Sequence, residues 1–140
     1  MALAASSSFP VVLEVAGATD VGKRREQNED ALLLRPELGL YVVADGAGGH
    51  NAGKVASALA VTSIKNFFGA TDVSARSKPS LDAFGIRNGV RRLAVAIQKV
   101  NRDIVEISKS SEAHRGMGST VVAISVDFDE PLLHIAHVGD

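Results

Sequence analysis

Apolar and polar positions alternate in two different rhythms along the chain. Residues 11–19 are rich in Val and Ala and end in a polar cluster, which predicts a first strand. Residues 31–34 are a short apolar run stopped by Arg35-Pro36, which predicts a second. Residues 40–44, Leu-Tyr-Val-Val-Ala, are continuously apolar, the pattern of a strand buried on both faces. Residues 119–126 and 132–138 are two further β-branched runs, with residues 127–131 as a hairpin turn between them.

The middle of the chain changes to helical rhythm. Asn51 reads as the cap of a helix running to about Phe68 and stopped by Gly69, with Val55, Leu59, Ile64 and Phe67/Phe68 at helical spacing. A second helix is predicted from about Leu81 to Ser108. Its stripe of Val90, Leu93, Ala94, Ile97, Val100, Ile104 and Ile107 steps by three or four, while Gly85 and Gly89 blur its start. Residues 69–80 read as a polar loop. The order β-β-β-α-α-β-β groups strands and helices separately, so the fold class is α+β rather than alternating βαβ units.

Composition narrows the function classes. The 140 residues fit one domain or part of one, and 46% hydrophobic against 22% charged residues exclude wholesale disorder. A net charge of −1 argues against general polyanion binding. Zero Trp, one Tyr and five Phe supply no stacking platform for single-stranded nucleic acid. Zero Cys excludes disulfides and thiolate metal sites. No apolar run reaches the length that spans a bilayer. The apolar stretch near the N-terminus has no basic residue ahead of it and is broken by Pro10 and Glu14, so it is not read as a secretory signal. The expectation is a soluble cytoplasmic protein with no nucleic-acid or membrane partner and with residues 1–10 as a loose N-terminal segment. Charge is segregated: residues 51–115 carry a net +6 between segments of −3 and −4.

Three polar clusters sit at strand ends. Residues 25–30 (Arg-Glu-Gln-Asn-Glu-Asp) lead into a strand, residues 45–50 (Asp-Gly-Ala-Gly-Gly-His) leave the apolar strand, and Gly139-Asp140 leave the last one. Carboxylates converging there repel one another and need a compensating cation. Oxygen ligands without Cys suit Mg²⁺ or Mn²⁺. Each cluster also has a plainer reading, since Asp-Gly after a strand is commonly a turn and Lys23-Arg24-Arg25 commonly a solvated face. His134 and His137, three apart in a strand, point to opposite faces and make a poor metal pair. His114 reads as a surface-loop residue, and His50 as ambiguous. Residues 48–54 fit G-x-x-x-x-G-K, but Val55 follows where a nucleotide-phosphate loop needs Ser or Thr. A nucleotide-binding loop and a non-catalytic module that docks an acidic partner on the basic segment are the two alternative readings.

Taken jointly, the stretches at residues 19–30, 43–53 with Ala56-Ser57, 116–120 and 137–140 resemble the metal-dependent serine/threonine protein phosphatases of the PP2C (PPM) family, in their bacterial form. The resemblance spans about residues 13–140. It implies a β-sandwich flanked by helices and hydrolysis of phosphoserine and phosphothreonine in protein substrates. It also implies Mg²⁺ or Mn²⁺, two per complete site with a third, weaker one. It assigns Asp45 as the bridge between metals, the Gly46 carbonyl as a ligand, and Glu29 with Asp30 as supports of the metal waters. Arg25 takes the substrate phosphate, and Asp140 the further metal. Arg25 and Asp45 are thus the implied catalytic pair. Ala47 departs from the family pattern, so no side chain at 47 protonates a leaving group. Lys54 stands where an acid is common. Family catalytic domains are roughly twice as long as this chain. The expectation is therefore the N-terminal part of a single domain, monomeric when complete and inactive alone for want of metal ligands.

Overall fold

The computed structural model describes residues 12–49, 51–70, 81–127 and 132–140. The expected loose segment 1–10, His50, most of the polar loop 69–80 and most of the hairpin turn 127–131 lie outside them.

Apolar runs become the strands β1 (Asp30–Arg35), β2 (Leu40–Ala47), β3 (Gly118–Ser119), β4 (Val121–Asp127) and β5 (Leu132–Val138). The periodic middle becomes the helices α1 (Ala52–Ala70) and α2 (Asn88–Ser110). All strand pairs are antiparallel, in the order β1-β2-β4-β5, with β3 pairing the end of β2. Pro36 fixes a short 3₁₀ turn over Pro36–Leu38, and Gly39 closes the β1–β2 hairpin with φ 60°.

Register sorts the residues into two faces. Leu33, Val42, Ala123 and Ala136 form one cross-strand row on the helix-covered face. The opposite face carries two mostly apolar rows, Leu32-Val43-Val122, ending in His137, and Leu34-Tyr41-Ile124-Ile135. Residues 40–44 are therefore not buried on both faces as their sequence predicts. Leu40, Val42 and Ala44 are buried, but Val43 is 57% exposed, because both helices pack on one side of the sheet.

Of the two helices, α1 buries small residues in addition to its predicted stripe, whereas α2 buries less of its own. On α1 the buried side chains are mostly small, with Ala56 and Ala60 fully covered and Ile64 and Phe68 following them, which lets α1 lie close on β2. On α2 the buried stripe is Leu93, Ala96, Val100 and Ile104; Val90 and Ala94 of the predicted stripe are exposed. Full burial of Ile64 and Leu93 contributes ~1.5–3 kcal/mol each. Ser63 on α1 donates to the Asp103 carboxylate on α2, and Lys99 Nζ donates to both Asp103 oxygens at 3.0 and 2.8 Å.

Three predicted elements change. Residues 12–19 form no strand ladder. Among the described residues no strand neighbours them in the sheet, and Gly17 instead packs against Leu34 and Leu32 on the open face. The predicted strand 119–126 is broken at Thr120, which leaves β3 short. α2 starts at Asn88, not near Leu81. Asp82 Oδ1 accepts the N–H groups of Phe84 and Ile86 at 2.7 and 2.9 Å, and Gly85 takes φ 75°, so residues 82–86 turn before the helix begins.

Candidate metal and phosphate site

Each acid predicted at a strand end lies at the same end of the sheet. Asp30, at the start of β1, pairs in register with Asp45 near the end of β2. In an antiparallel pair, directly opposed side chains share a face, with Cβ atoms about 5 Å apart. Buried residues in β2 occupy the helix side, so Asp45 and Asp30 stand on the open face, and both are exposed. Two carboxylates in that relation repel each other unless a cation lies between or beside them.

Thr120 continues the row. Its N–H donates to the Asp45 carbonyl at 2.8 Å, and its hydroxyl accepts the Asp45 N–H at 3.2 Å. Gly139 follows the β4–β5 register beyond Val121–Val138, and a Cβ on it would lie 2.9 Å from Thr120 Cγ2. Gly139 thus stands two strand spacings, about 10 Å, from Asp45, and Asp140 follows it at the same end of the sheet. Among the described residues, no three His, Cys, Asp or Glu side chains gather into a group able to hold a metal ion.

Glu29 behaves differently from its neighbour. Alternation sends it to the helix side, where Oε1 lies against Gly53 in the first turn of α1. A carboxylate there is favoured by the positive end of the helix dipole. Its backbone carbonyl accepts the Gly46 N–H at 3.1 Å, and Gly46 itself lies against the Gly53 carbonyl, so strand end, helix start and β1 entry meet without room for a Cβ at either glycine. An acid against Gly53 is the reverse of what a nucleotide-phosphate loop needs, and the spacing at 48–54 gains no support from the geometry. Arg25 Nη1 is 3.8 Å from Glu29 Oε2, with the arginine side chain 61% exposed. A pair that loose and solvated is weak, and the guanidinium remains accessible to an anion.

Residues 21–140 match the family model described as Protein phosphatase 2C. The chain belongs to the protein phosphatase 2C family. It is 35% identical over 125 residues to the serine/threonine phosphatase stp of Listeria monocytogenes, covering 87% of this chain and 45% of that protein. Its fold is similar to the Mycobacterium tuberculosis serine/threonine phosphatase PstP/Ppp, with TM-score 0.64 and 29% identity over 85% of this chain and 43% of that one. It is also similar to the catalytic domain of PstP in complex with two manganese ions, with TM-score 0.63, 30% identity, and 85% and 44% coverage. The chain spans somewhat less than half the length of these relatives.

In this 2C-family chain the residues that sequence reasoning missed are structural partners of the acids. Thr120 fixes the backbone of Asp45, Gly53 receives Glu29, and Asn28 donates from Nδ2 to Thr19 Oγ1 at 2.8 Å while its Oδ1 accepts the Asp30 N–H at 3.0 Å. Each lies inside a stretch that carries the resemblance, but only the fold reveals what it touches. His134 is buried and His137 exposed, on opposite faces as their spacing predicts. His114 is half-buried in a short 3₁₀ turn over Glu112–His114 rather than free in a loop. Among the described residues no helix is long and apolar enough to cross a membrane.

Proposed function

We propose that the chain forms the phosphate-facing part and one side of the metal centre of a metal-dependent phosphatase acting on phosphoserine and phosphothreonine in proteins. The register pairing of Asp30 with Asp45, beside the Arg25–Glu29 pair, carries this reading. The donor set fits a hard divalent cation in kind: carboxylates and a backbone carbonyl, with no sulfur. In this reading Asp45, the Gly46 carbonyl and Asp30 hold Mg²⁺ or Mn²⁺, Glu29 orients ligands from the helix side, and Asp140 holds a third, weaker ion. When bound, such cations lower the pKa of water and neutralise phosphate charge.

The protein's own groups then have separable tasks. Arg25 offers a fork of N–H donors to two oxygens of the substrate phosphate. Thr120 bonds both the N–H and the carbonyl of Asp45, so the backbone that carries this carboxylate is fixed. Ala47 has no proton to give, so the leaving oxygen takes its proton from solvent. The reading includes a monomeric complete form acting in the cytoplasm, which a chain with zero Cys is compatible with.

Calorimetric titration with Mn²⁺ tests the metal side, and loss of the binding signal in Asp45→Asn is the expected result. The 140-residue chain alone is expected to hydrolyse p-nitrophenyl phosphate feebly or not at all. In a chain extended to the relatives' length, Asp45→Asn is expected to abolish Mn²⁺-dependent turnover; unchanged turnover would remove Asp45 from the site.

A further inference from the structure

The cations next to Arg25 have no evident structural task. The hydrogen bond from Asn28 to Thr19 closes a loop over residues 19–28 at its base. Within the loop, Gly22 at φ 74° donates its N–H to Asp20 Oδ1 at 2.8 Å, which sets a turn over residues 22–24. Lys23, Arg24 and Arg25 follow at the tip, all exposed. Arg25 reaches Glu29, whereas Lys23 and Arg24 make no ion pair or side-chain hydrogen bond among the described residues.

A fourth exposed cation stands in the first turn of α1. Glu29 Oε1 rests against Gly53, and the next residue is the exposed Lys54. The first turn of α1 contains no acidic residue. A lysine there opposes the helix dipole, so it costs helix stability rather than adding to it. Lys23 and Arg24 thus adjoin Arg25 along the loop, and Lys54 adjoins Gly53, which Glu29 meets on the helix.

We propose that Lys23, Arg24 and Lys54 form a second anion subsite beside Arg25, which selects substrate segments carrying another phosphate or a carboxylate near the phosphorylated residue. This rests on the phosphatase reading of Arg25. The planar guanidinium of Arg24 matches two oxygens of one phosphate, and the two lysines act as point charges. Closure of the loop through Asn28 reduces the ordering cost of binding.

Fluorescence anisotropy with the 140-residue chain in Mn²⁺ provides the test. The probes are phosphonate peptides that resist hydrolysis: one with a single phosphonate and neutral flanks, one with two phosphonates, and one with a single phosphonate and flanking Asp residues. The wild type is expected to prefer the doubly charged probes by about tenfold, the effect of one charge-assisted contact. The comparison between the last two probes tells phosphate from carboxylate. A Lys23→Ala/Arg24→Ala/Lys54→Ala variant, folded by circular dichroism, is expected to bind all three probes within about twofold of one another, at the wild-type affinity for the neutral-flank probe. A preference that survives in this variant overturns the subsite, and so does a wild type that shows no preference or no binding. Arg25→Ala separates the two ideas: it should weaken all three probes alike, and unchanged binding would overturn the assignment of Arg25 instead.

Discussion

Asp30 and Asp45 stand directly opposite each other across β1 and β2, two exposed carboxylates on one face of an antiparallel pair. Opposed like charges in a sheet cost roughly 0.2–1 kcal/mol. Asp45→Asn should therefore raise the melting temperature slightly in EDTA while reducing the stabilisation given by Mn²⁺. Thermal denaturation with and without the metal checks both halves. A variant that melts lower in EDTA, or gains as much from Mn²⁺ as the parent, contradicts the pairing's role.

The two glycines where strand meets helix should respond unequally to a methyl group. A Cβ on Gly46 overlaps the Gly53 carbonyl, which is backbone in the first turn of α1 and cannot step aside. A Cβ on Gly53 overlaps chiefly the end of the Glu29 side chain, which can rotate. Gly46→Ala should cost about 3 kcal/mol or more, and Gly53→Ala about 1 kcal/mol, within the range for overpacking. Urea denaturation measures both, and equal losses would show the contact is softer than described.

Asp82 gives the start of α2 a pH dependence. Its pKa is held below the usual carboxylate value first by the Ile86 N–H, then, against the opposing effect of burial, by the Phe84 N–H and the Arg91 guanidinium. A lowered folded pKa means the contribution is present above the unfolded value of about 4 and fades as pH falls through the folded one. Hydrogen exchange at Phe84 and Ile86 should therefore accelerate, beyond the intrinsic change, only below about pH 4. In Asp82→Asn that acid-dependent step should vanish; its persistence would point to another group.

Asp103 joins the two helices through Ser63 and Lys99. Burial acts to raise its pKa, but donation from Lys99 and Ser63 together outweighs that and leaves it lowered. Ser63 is 6% exposed, so Asp103→Ala strands a buried hydroxyl and should cost about 1–3 kcal/mol. Lys99→Ala removes only a partly solvated pair and should cost less than about 1 kcal/mol. Chemical denaturation of the two variants gives the order, and the reverse order would show that the lysine rather than the hydroxyl depends on Asp103.

What could be read from the chain divides along physical lines. Residues 31–34, 132–138 and the α1 segment carry their own periodicity and turn residues, and they fold nearly where that periodicity places them. Residues 12–19 have a strand's composition, but a strand needs a neighbour, and composition does not supply one. The start of α2 was obscured because Asp82 captures the backbone N–H groups that a longer helix would have used. The predicted stripe of α1 does face the core, but Ala56 and Ala60 bury as completely as Ile64 and give little hydrophobic signal in the sequence. Motif order alone singles out Arg25, Glu29, Asp30, Asp45, Gly46 and Asp140 as candidates. That Glu29 and Asp30 part to opposite faces, and that Thr120 clasps Asp45, follows only from register.

That register ties chemistry to folding fidelity. A slip of one residue between β1 and β2 would turn Asp45 inward under α1 and bring Val43 and its neighbours with it. The hairpin would then demand that a carboxylate occupy space now filled by Ala44 and Val42, so misalignment is rejected on energetic grounds before any ligand is present. The same acid proposed for the metal centre thereby acts as a proofreader of its own strand.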